Sequence, residues 1–316
     1  MANPRSMLQA PALISIGLPV YNGEDYLAQA LDALLAQTYH HFELIISDNA
    51  STDRTAQICQ AYAAKDSRIA VYRSEENLGA AWNYNRVFEL SKGKYFKWAA
   101  HDDLCEPSYL EKCVDVLEAD STVSLCYANT AVIDPSGAVK SRYTEDLHLQ
   151  SPQISDRYRA FHQRFLRKYK CNAVFGVMRR DDLVNTDLIG RYEASDITLL
   201  GELALMGRLT EIPEYLFSRR DHPEMSGRAN PTAEAIAAWF DPENKKKRLM
   251  PMSRLLWEHI KAISRVPMPL TERLRCYSLL RIFLRWKRRE IGRELKQFLR
   301  MPIYRRSAST ASSESS

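Results

Sequence analysis

The sequence lacks the segments that mark membrane-spanning and secreted proteins. No uninterrupted apolar run approaches the roughly 20 residues that a helix needs to cross a bilayer. Residues 1–11 contain no apolar core of the kind found in a secretory signal peptide. We therefore expect a cytoplasmic protein.

Motifs of several ligand-binding classes are also missing. No Gly-x-Gly-x-x-Gly follows the first predicted strand, which argues against a dinucleotide-binding Rossmann domain. Zinc-finger spacing, an RNP-like aromatic motif and a convincing pair of recognition helices are absent, so nucleic acid is not an expected partner. The cysteines form no Cys-x-x-Cys pair, and several lie in apolar stretches, which predicts buried free thiols in a reducing compartment. They are Cys59, Cys105, Cys113, Cys126, Cys171 and Cys276.

The composition is that of an ordinary soluble globular protein. The chain has 316 residues, of which 45% are hydrophobic and 26% charged, which is enough for one large α/β domain and an appendage. Apolar, strand-like segments at 13–18, 42–47, 69–72 and 97–100 alternate with segments of helical period. This alternation predicts a parallel sheet that carries the polar loops after its strands on one edge.

The strongest local signal is the segment 97–103, which stops on two adjacent acids, Asp102 and Asp103. Such acids place hard oxygen ligands at the carboxyl edge of the sheet, where open α/β sheets bind their ligands. The pattern predicts a divalent metal that holds a phosphorylated substrate. The alternative is that the two acids only cap a helix beginning near residues 106–108.

Four loop motifs together resemble a known family. They are Pro19-Val20-Tyr21-Asn22, Asp48-Asn49-Ala50-Ser51-Thr52-Asp53, Asn77-Leu78-Gly79 and Asp102-Asp103. In this order and spacing they are similar to the inverting family 2 glycosyltransferases of the GT-A fold, over about residues 12 to 222. The resemblance implies a Rossmann-like, mostly parallel central sheet flanked by helices, with the remaining C-terminal residues as a helical appendage.

The resemblance also implies roles for individual residues. A nucleoside-diphosphate sugar would be the donor, Mn²⁺ or Mg²⁺ the cofactor, and Asp103 the direct metal ligand. Asp102 would contact the ribose or a metal-bound water. The implied nucleotide contacts are Pro19, Tyr21 and Asp48 at the base, with Asn77 and Glu24 also in motifs that bind the nucleotide.

The chemistry of these residues supports the same roles independently of the resemblance. A nucleotide diphosphate leaving group carries negative charge, which a divalent ion bound by one or two carboxylates neutralises. Asp48 can accept a hydrogen bond from the imide N–H of uracil or thymine, and Tyr21 can stack on the ring. The alternatives are that Asp48 is a helix N-cap and that Tyr21 is an aromatic residue packed in a turn.

A second cluster lies in residues 191–209. Leu199, Leu200, Leu203 and Met206 predict the buried stripe of a short helix that ends at Gly207. Asp196 lies at its start and resembles the catalytic aspartate of family 2 enzymes, which removes the proton of the acceptor hydroxyl. The alternative role of Asp196 is that of an N-cap. The usual Glu-Asp pair is Ser195-Asp196 here, and we assign Ser195 no catalytic role.

Arg220 and His222 match the Arg-x-His that the family often has after a later strand. In that reading His222 is a metal ligand and Arg220 a phosphate contact, whereas a lone histidine is more often a structural residue. Many relatives have Arg-Asn where this chain has Tyr84-Asn85, so a cation is missing at that position.

The C-terminal segment is strongly basic. Residues 243–306 contain 19 Lys and Arg against 5 Asp and Glu, whereas residues 1–242 contain 25 against 33. Basic, Trp-bearing amphipathic helices bind anionic membranes, and we expect such a surface as a partner through residues 245–306. The alternative is a helical appendage that packs on the catalytic domain and keeps a solvated basic face.

These observations predict a domain order and a function. We expect an N-terminal extension (1–11), a GT-A domain (12–230) with a nucleotide half (12–103) and an acceptor half (104–230), a basic helical region (231–306) and a disordered tail (307–316). The predicted function is inverting transfer from a UDP- or dTDP-sugar to a saccharide or glycolipid hydroxyl in cell-surface polysaccharide or glycolipid synthesis. The acceptor region is expected in 143–170 and in the loop before Asp196. The alternatives are a nucleotidyltransferase and a non-catalytic nucleotide-sugar-binding protein of this fold.

Overall fold

The computed structural model describes residues 13–165, 171–246 and 250–299. The strands of this part form one sheet. They are β1 (Ile14–Val20), β2 (Phe42–Asp48), β3 (Ile69–Arg73), β4 (Tyr95–Trp98), β5 (Leu104–Cys105), β6 (Val123–Ile133), β7 (Val139–Tyr143), β8 (Val177–Arg179) and β9 (Arg208–Arg220).

Helices cover both faces of the sheet and form the C-terminal region. They are α1 (Leu27–Leu35), α2 (Thr55–Ala63), α3 (Ala80–Glu89), α4 (Tyr109–Ala119), α5 (Ile154–Phe165), α6 (Arg180–Val184), α7 (Ser195–Met206), α8 (Ser226–Ala229), α9 (Ala233–Phe240), α10 (Pro251–Arg265) and α11 (Leu270–Leu299). Short 3₁₀ helices occur at Asn172–Phe175 and Pro242–Lys246.

The N-terminal half of the sheet is parallel, as the alternation of segments predicts. β3, β2, β1 and β4 lie side by side in that order, and each adjacent pair is parallel. In the β1–β2 register Val20 lies opposite Asp48, so the first two motif loops leave the sheet at the same edge. All seven residues of β1 are buried, because helices cover this strand on both faces.

The second half of the sheet is mixed. Beyond β4 the order continues β8, β6, β9, β5, and β7 pairs with the end of β6, on the edge that β8 pairs nearer its start. β8 is antiparallel to both β4 and β6, whereas β6 and β9 are parallel. β9 is long enough to pair with β5 as well, just after Asp103, which brings residues 218–222 next to the acid pair. The predicted α/β fold with a C-terminal helical appendage is confirmed.

Two apolar layers and one satellite cluster hold the molecule together. One layer packs α1, α2 and α4 on one face of the sheet, and the other packs α3 and α7 on the opposite face around Trp98. The satellite cluster joins α10 and α11 to α5 and α7 through buried residues such as Tyr158, Ile263 and Leu280. The basic C-terminal helices are therefore packed on the domain, and several of their basic residues, such as Arg254, Arg281 and Arg288, are exposed.

Two further sequence predictions concern burial. All six cysteines are free and buried, as their apolar surroundings suggested. Among the described residues, no helix is both long enough and apolar enough to cross a membrane.

The packing of α3 on β1 gives a first test. A methyl group at Gly17 would lie 2.6 Å from Cγ2 of Val87 and 2.8 Å from Cζ of Phe96. We therefore expect Gly17→Ala to lower the free energy of unfolding by about 1–3 kcal/mol through overpacking. Gly292, within α11, has open space where a methyl group would go, so Gly292→Ala is the control and should be neutral or stabilising by up to about 1 kcal/mol. Denaturant unfolding measures both; equal stabilities of the two variants would contradict this packing.

Candidate functional site

Two adjoining cavities lie at the carboxyl edge of the parallel strands. The first-loop cavity, of about 390 Å³, is lined by the first motif and by Asn49 and Asn77. The carboxylate cavity, of about 600 Å³, is lined by the acid pair, by Asp196 and by Arg219 and Arg220. Both are lined by Ala80, Tyr84, His101 and Trp239.

Side-chain hydrogen bonds hold the first three motif loops against one another. Asn22 donates its N–H to Oγ of Ser51 at 2.9 Å and accepts from the N–H of Thr52 at 2.8 Å. Asn49 donates to Oδ1 of Asn77 at 2.9 Å and accepts from the N–H of Leu78 at 3.0 Å. These bonds pair the loops after β1, β2 and β3 into a single surface. The rim of the first-loop cavity is thus preorganised by the polar residues that end the strands.

Three of the predicted nucleotide contacts line the first-loop cavity. Pro19, Tyr21 and Asn77 are on its wall, and Tyr21 leaves 43% of its surface exposed. An aromatic ring in this position is free to stack on a planar ligand.

Asp48 is not on a cavity wall. It is the last residue of β2, where it accepts from the N–H of Ser51 at 2.9 Å and pairs with the guanidinium of Arg73. The N-cap alternative for Asp48 is wrong, because α2 begins at Thr55 and the Thr55 N–H donates to Asp53. A base contact from Asp48 stays a prediction that requires the Asp48–Arg73 pair to turn toward the ligand.

Glu24 is also away from both cavities. Its carboxylate accepts from the backbone N–H and from Nε of Arg54, at 3.0 and 2.9 Å, on an exposed surface. These hydrogen bonds from Arg54 lower the pKa of Glu24. Its role as a nucleotide contact stays a prediction, and the bonds it makes here join the first two motif loops.

Asp103 is a buried carboxylate beside a second acid. Its Oδ1 accepts from the backbone N–H of Arg220 at 2.9 Å. Burial, and then the charge of Asp102, raise the pKa of Asp103 well above its usual range. The helix-capping alternative for this pair is wrong, since α4 begins at Tyr109 after Ser108. An ionised Asp103 therefore gains most from a cation placed beside it.

Asp102 is bound by His222. Nε2 of His222 lies 2.9 Å from Oδ2 of Asp102, and Nδ1 lies 3.2 Å from the carboxylate of Glu224. Burial raises the pKa of Asp102, but the hydrogen bond from His222 together with the charges of His101 and His222 outweighs it, and the net direction is downward. The hydrogen bond to Asp102 likewise raises the pKa of His222. His222 thus orients Asp102, and it would have to release a carboxylate to bind a metal.

The donor set suits a divalent ion that is shared with a substrate. In the described part of the chain, no group of three or more His, Cys, Asp or Glu is arranged as a ready metal site. Mg²⁺ and similar ions are often held by one or two carboxylates together with substrate phosphates and water. Asp103, destabilised as an anion and on the cavity wall, fits that role with Asp102 and His222 beside it.

The two arginines that end β9, Arg219 and Arg220, differ in their hydrogen bonding. The guanidinium of Arg220 is saturated: it donates to Gln29 at 2.9 Å and to the carbonyl oxygens of Asp102 and Pro135, both at 2.9 Å. Arg219 lines the same cavity, and its buried Nε has no hydrogen-bond partner among the described residues. Of these two cations, Arg219 is the one free to meet a phosphate oxygen.

Asp196 reaches the carboxylate cavity from the opposite side. It lies in the first turn of α7, which begins at Ser195 with Ala194 as N-cap, so the N-cap alternative for Asp196 is wrong. Ala194 has a left-handed backbone (φ 63°), as has Cys171 (φ 54°) on the same wall. Left-handed non-glycine residues cost free energy and cluster at functional sites. Leu199, Leu200 and Leu203 are buried as predicted and the helix ends before Gly207, but Met206 is only half-buried, and burial extends to all residues from Ile197 to Leu205 rather than to one stripe.

Sequence motifs missed several residues on the cavity walls. Tyr84 is half-buried, and burial, followed by the charges of Asp102, Asp103 and Asp196, raises its pKa. Asn172, Glu193, Trp239 and Phe240 also line the carboxylate cavity. The loop before Asp196 lines this cavity, and its role in acceptor binding stays a prediction, whereas residues 166–170 of the expected acceptor segment lie outside the described part. No spacing rule marks these residues, because they come from four separate segments of the chain.

Glu145 supports the carboxylate cavity from behind. Its Oε1 accepts from the backbone N–H of Asn172 at 2.6 Å, and Asn172 is on the cavity wall. Burial raises the pKa of Glu145 to about 7, and the charges of Glu211 and Asp196 act in the same direction. The state of this carboxyl therefore changes near neutral pH.

Comparisons with known proteins agree with this geometry. A family model described as glycosyl transferase family 2 matches residues 15–183, more than half of the chain. An uncharacterized glycosyltransferase of Rickettsia typhi is 37% identical over 123 residues, which are 39% of this chain and 37% of that protein. The putative teichuronic acid biosynthesis glycosyltransferase TuaG of Bacillus subtilis is 38% identical over 105 residues, or 33% and 42% of the two chains. The chain thus spans less than half the length of these relatives.

Solved structures share the fold at low sequence identity. TarS of S. aureus, residues 1–349 in complex with UDP, has a TM-score of 0.56 and 17% identity over 92% of this chain and 93% of its own. The mannosyltransferase PcManGT of Pyrobaculum calidifontis, in complex with GDP-Man and Mn²⁺, has a TM-score of 0.54 and 17% identity over 94% and 77%. At this identity the likeness shows the fold alone.

Replacing Glu145 by Gln should alter how stability depends on pH. The folded-state pKa of about 7 lies above the ordinary 4.5, so between these values the folded chain binds the extra proton. Stability from this group is complete below about pH 4.5 and is lost as pH rises through 7. Glu145→Gln stays neutral, so it should exceed the wild type at pH 8 by up to about 3 kcal/mol and match it near pH 5.

Denaturant unfolding between pH 5 and 8 measures this difference. Glu75→Gln, which changes an exposed glutamate, is the matched control and should differ from the wild type equally at every pH. A constant difference for Glu145→Gln across the range would show that Glu145 titrates normally.

Proposed function

The chain belongs to glycosyl transferase family 2 and has the GT-A fold. We propose that it transfers a sugar from a UDP- or dTDP-sugar to a hydroxyl acceptor with inversion. One observation supports this most strongly. The cavity that contains the three carboxylates of Asp102, Asp103 and Asp196 adjoins the cavity formed by Pro19, Tyr21 and Asn77. A nucleotide in the first-loop cavity would direct its diphosphate and sugar toward the carboxylates.

The residues of the first-loop cavity suit the nucleotide. Tyr21 offers an exposed ring for stacking, Asn77 is already oriented by Asn49, and Pro19, near the end of β1, is on the cavity wall. Asp48 remains a proposed base contact, and Glu24 a proposed nucleotide contact, each through rearrangement of its arginine partner. Pyrimidine donors fit an acceptor such as Asp48 because uracil and thymine carry an imide N–H.

The carboxylate cavity suits the leaving diphosphate. Mn²⁺ or Mg²⁺ would neutralise the phosphate charge that develops as the bond to the sugar breaks. Asp103 would be the direct ligand, with Asp102 contacting the ribose or a metal-bound water and His222 next to it. Arg219 would donate to phosphate oxygens, in addition to or in place of Arg220, because its Nε has no hydrogen-bond partner among the described residues.

Inversion requires one displacement, in which the acceptor oxygen bonds to the sugar carbon as the diphosphate leaves from the opposite side. The acceptor hydroxyl must lose its proton, and Asp196 would accept it. Its place in the first turn of α7 fixes the carboxylate, and Oδ1 accepts from the N–H of Ile197 at 2.9 Å. The acceptor would be a saccharide or glycolipid used in cell-surface polysaccharide synthesis, in line with the name of the TuaG relative.

Two variants separate nucleotide binding from transfer. Asp103→Asn removes the charged metal ligand while its amide oxygen can still accept from Arg220, so we expect metal-dependent binding of UDP or dTDP and turnover both to be nearly abolished. Asp196→Asn should keep nucleotide binding and lose transfer by about 10²-fold or more. Asp115→Asn, an exposed aspartate on α4, controls for the loss of one charge.

Calorimetry with UDP and dTDP in the presence of Mn²⁺ or Mg²⁺, alongside transfer assays with a panel of nucleotide sugars, measures both variants. Wild-type binding and turnover in Asp103→Asn would refute the metal assignment. Binding retained together with activity within a few-fold of the wild type in Asp196→Asn would refute the base assignment. Tight nucleotide binding by a wild-type chain that transfers no sugar would favour the non-catalytic alternative.

We also propose that α11 docks on anionic membranes through its outer face. Four exposed leucines and two exposed arginines lie three, four or seven residues apart on that face, as one side of a helix requires. They are Leu270, Leu274, Arg281, Leu284, Arg288 and Leu295. Leucines that enter the interface and arginines that meet lipid phosphates suit an anionic bilayer.

Membrane binding through this face should depend on salt. Each basic residue near an anionic surface contributes about 1 kcal/mol, so Arg281→Ala with Arg288→Ala should weaken liposome binding roughly 10- to 30-fold at low salt. Raising the salt should weaken the wild type, because the Debye length shrinks to about 8 Å at physiological ionic strength. Lys65→Ala with Lys92→Ala, exposed residues of the nucleotide half, is the control of equal charge. If both double variants bound liposomes equally in co-sedimentation, the outer face of α11 would have no role in membrane binding.

A further inference from the structure

The two cavities meet at a junction of four residues. Ala80 and Tyr84 belong to α3, His101 follows β4, and Trp239 comes from α9 near the C-terminal region. A ligand that reaches from Tyr21 to Asp103 must pass this junction. Trp239 is the member that brings a large apolar side chain from outside the motif loops.

α9 is anchored where it meets α3. Gly79 has a left-handed backbone (φ 87°), and a methyl group there would lie 2.7 Å from the carbonyl oxygen of Phe240. Glycine at this position thus allows the end of α9 to sit directly on the start of α3. The close approach gives the third motif a packing role besides any contact with a ligand.

Polar contacts fix the residues that follow α9 against the segment before α7. Nδ2 of Asn244 donates to the carbonyl oxygens of Arg191 and Ala237, at 2.9 and 3.1 Å. Asp241 lies 3.7 Å from the guanidinium of Arg191. Residues 191–196 also carry Asp196, so the segment with Trp239 and the segment with the proposed base are tied together. Trp239 is held by Phe240 as well, edge to face at 4.9 Å between ring centroids.

The chemistry around Trp239 is that of a sugar site. Aromatic rings bury large apolar areas and leave polar groups elsewhere to set orientation. A pyranose ring needs both kinds of contact, because its C–H groups are apolar and its hydroxyls are polar. On the wall of the carboxylate cavity Trp239 would supply the apolar contact, while Asn172 and Glu193 on the same wall would meet the hydroxyls.

We propose that Trp239 stacks on the sugar ring of the nucleotide-sugar donor and so distinguishes the donor from the free nucleotide. This inference rests on the proposed function and names the residue that would read the sugar. It assigns the base to the first-loop cavity, the ribose to the junction, and the diphosphate and the sugar to the carboxylate cavity, where Trp239 lies on the wall together with Asp196. Trp239 is then a binding residue and takes no part in proton transfer.

Calorimetry on the full chain tests the proposal by comparing nucleotides with nucleotide sugars. The probes are UDP, UDP-glucose, UDP-N-acetylglucosamine, dTDP and dTDP-glucose, each with Mn²⁺. For the sugar nucleotide that binds best, we expect Trp239→Ala to raise Kd about 3- to 10-fold, the range of an aromatic stacking contact, and to leave Kd for the matching free nucleotide within twofold. Trp239→Phe should recover part of the loss.

Trp257→Ala is the matched control, because Trp257 on α10 is 57% exposed and lines neither cavity. Circular dichroism melting verifies that each variant folds. If Trp239→Ala weakened the binding of nucleotide and of nucleotide sugar equally, Trp239 would contact the nucleotide and the proposal would be wrong. Unchanged binding of both ligands, or an effect limited to the acceptor KM, would also overturn the proposal. A wild type that binds none of the probes would instead overturn the proposed function, and the inference with it.

Discussion

The buried guanidinium of Arg220 is the interaction on which the geometry of the site depends. It is 1% exposed and lies over the ring of Tyr26, at 4.6 Å from the centroid. Its hydrogen bonds join α1, the acid loop and the turn after β6, while its backbone N–H holds Asp103. A buried cation that loses such partners is costly, so these segments must keep their relative positions. The acid pair is thus positioned by β9, more than a hundred residues later in the chain.

The second constraint is the common edge of the parallel strands. Because β1, β2, β3 and β4 run in one direction, the loops that follow them lie at the same edge of the sheet. Asn22, Asn49 and Asn77 can therefore form hydrogen bonds between these loops. The same convergence concentrates negative charge around Tyr84 and Asp103, which is unfavourable in the absence of a cation. A site in this condition is suited to bind a positive ion together with an anionic substrate. The negative charge around Tyr84 and Asp103 thus lowers the stability of the folded chain at this site.

The C-terminal part of the chain has two structural roles. Near the site, α9 covers the junction of the cavities and rests on Gly79. Farther along, α10 fixes α7 through apolar contacts and through the pair of Arg265 with buried Glu202, at 2.8 Å. Since α7 carries Asp196, the packing of α10 also helps to hold the proposed base in place. The outer face of α11, with Arg281 and Arg288, stays exposed.

The sequence by itself determined the parallel half of the sheet, its polar loops and the burial of the cysteines. These features depend on local periodicity and on residues a few positions apart, which the chain shows directly. Only the tertiary structure decided that Arg220 is saturated and Arg219 free, that Asp48 and Glu24 pair with arginines, and that Trp239 reaches the site. These outcomes depend on contacts such as that between Arg220 and Asp103, which are 117 residues apart. Which side chains meet over such distances is set by the packing of whole elements, and no spacing in the sequence records it.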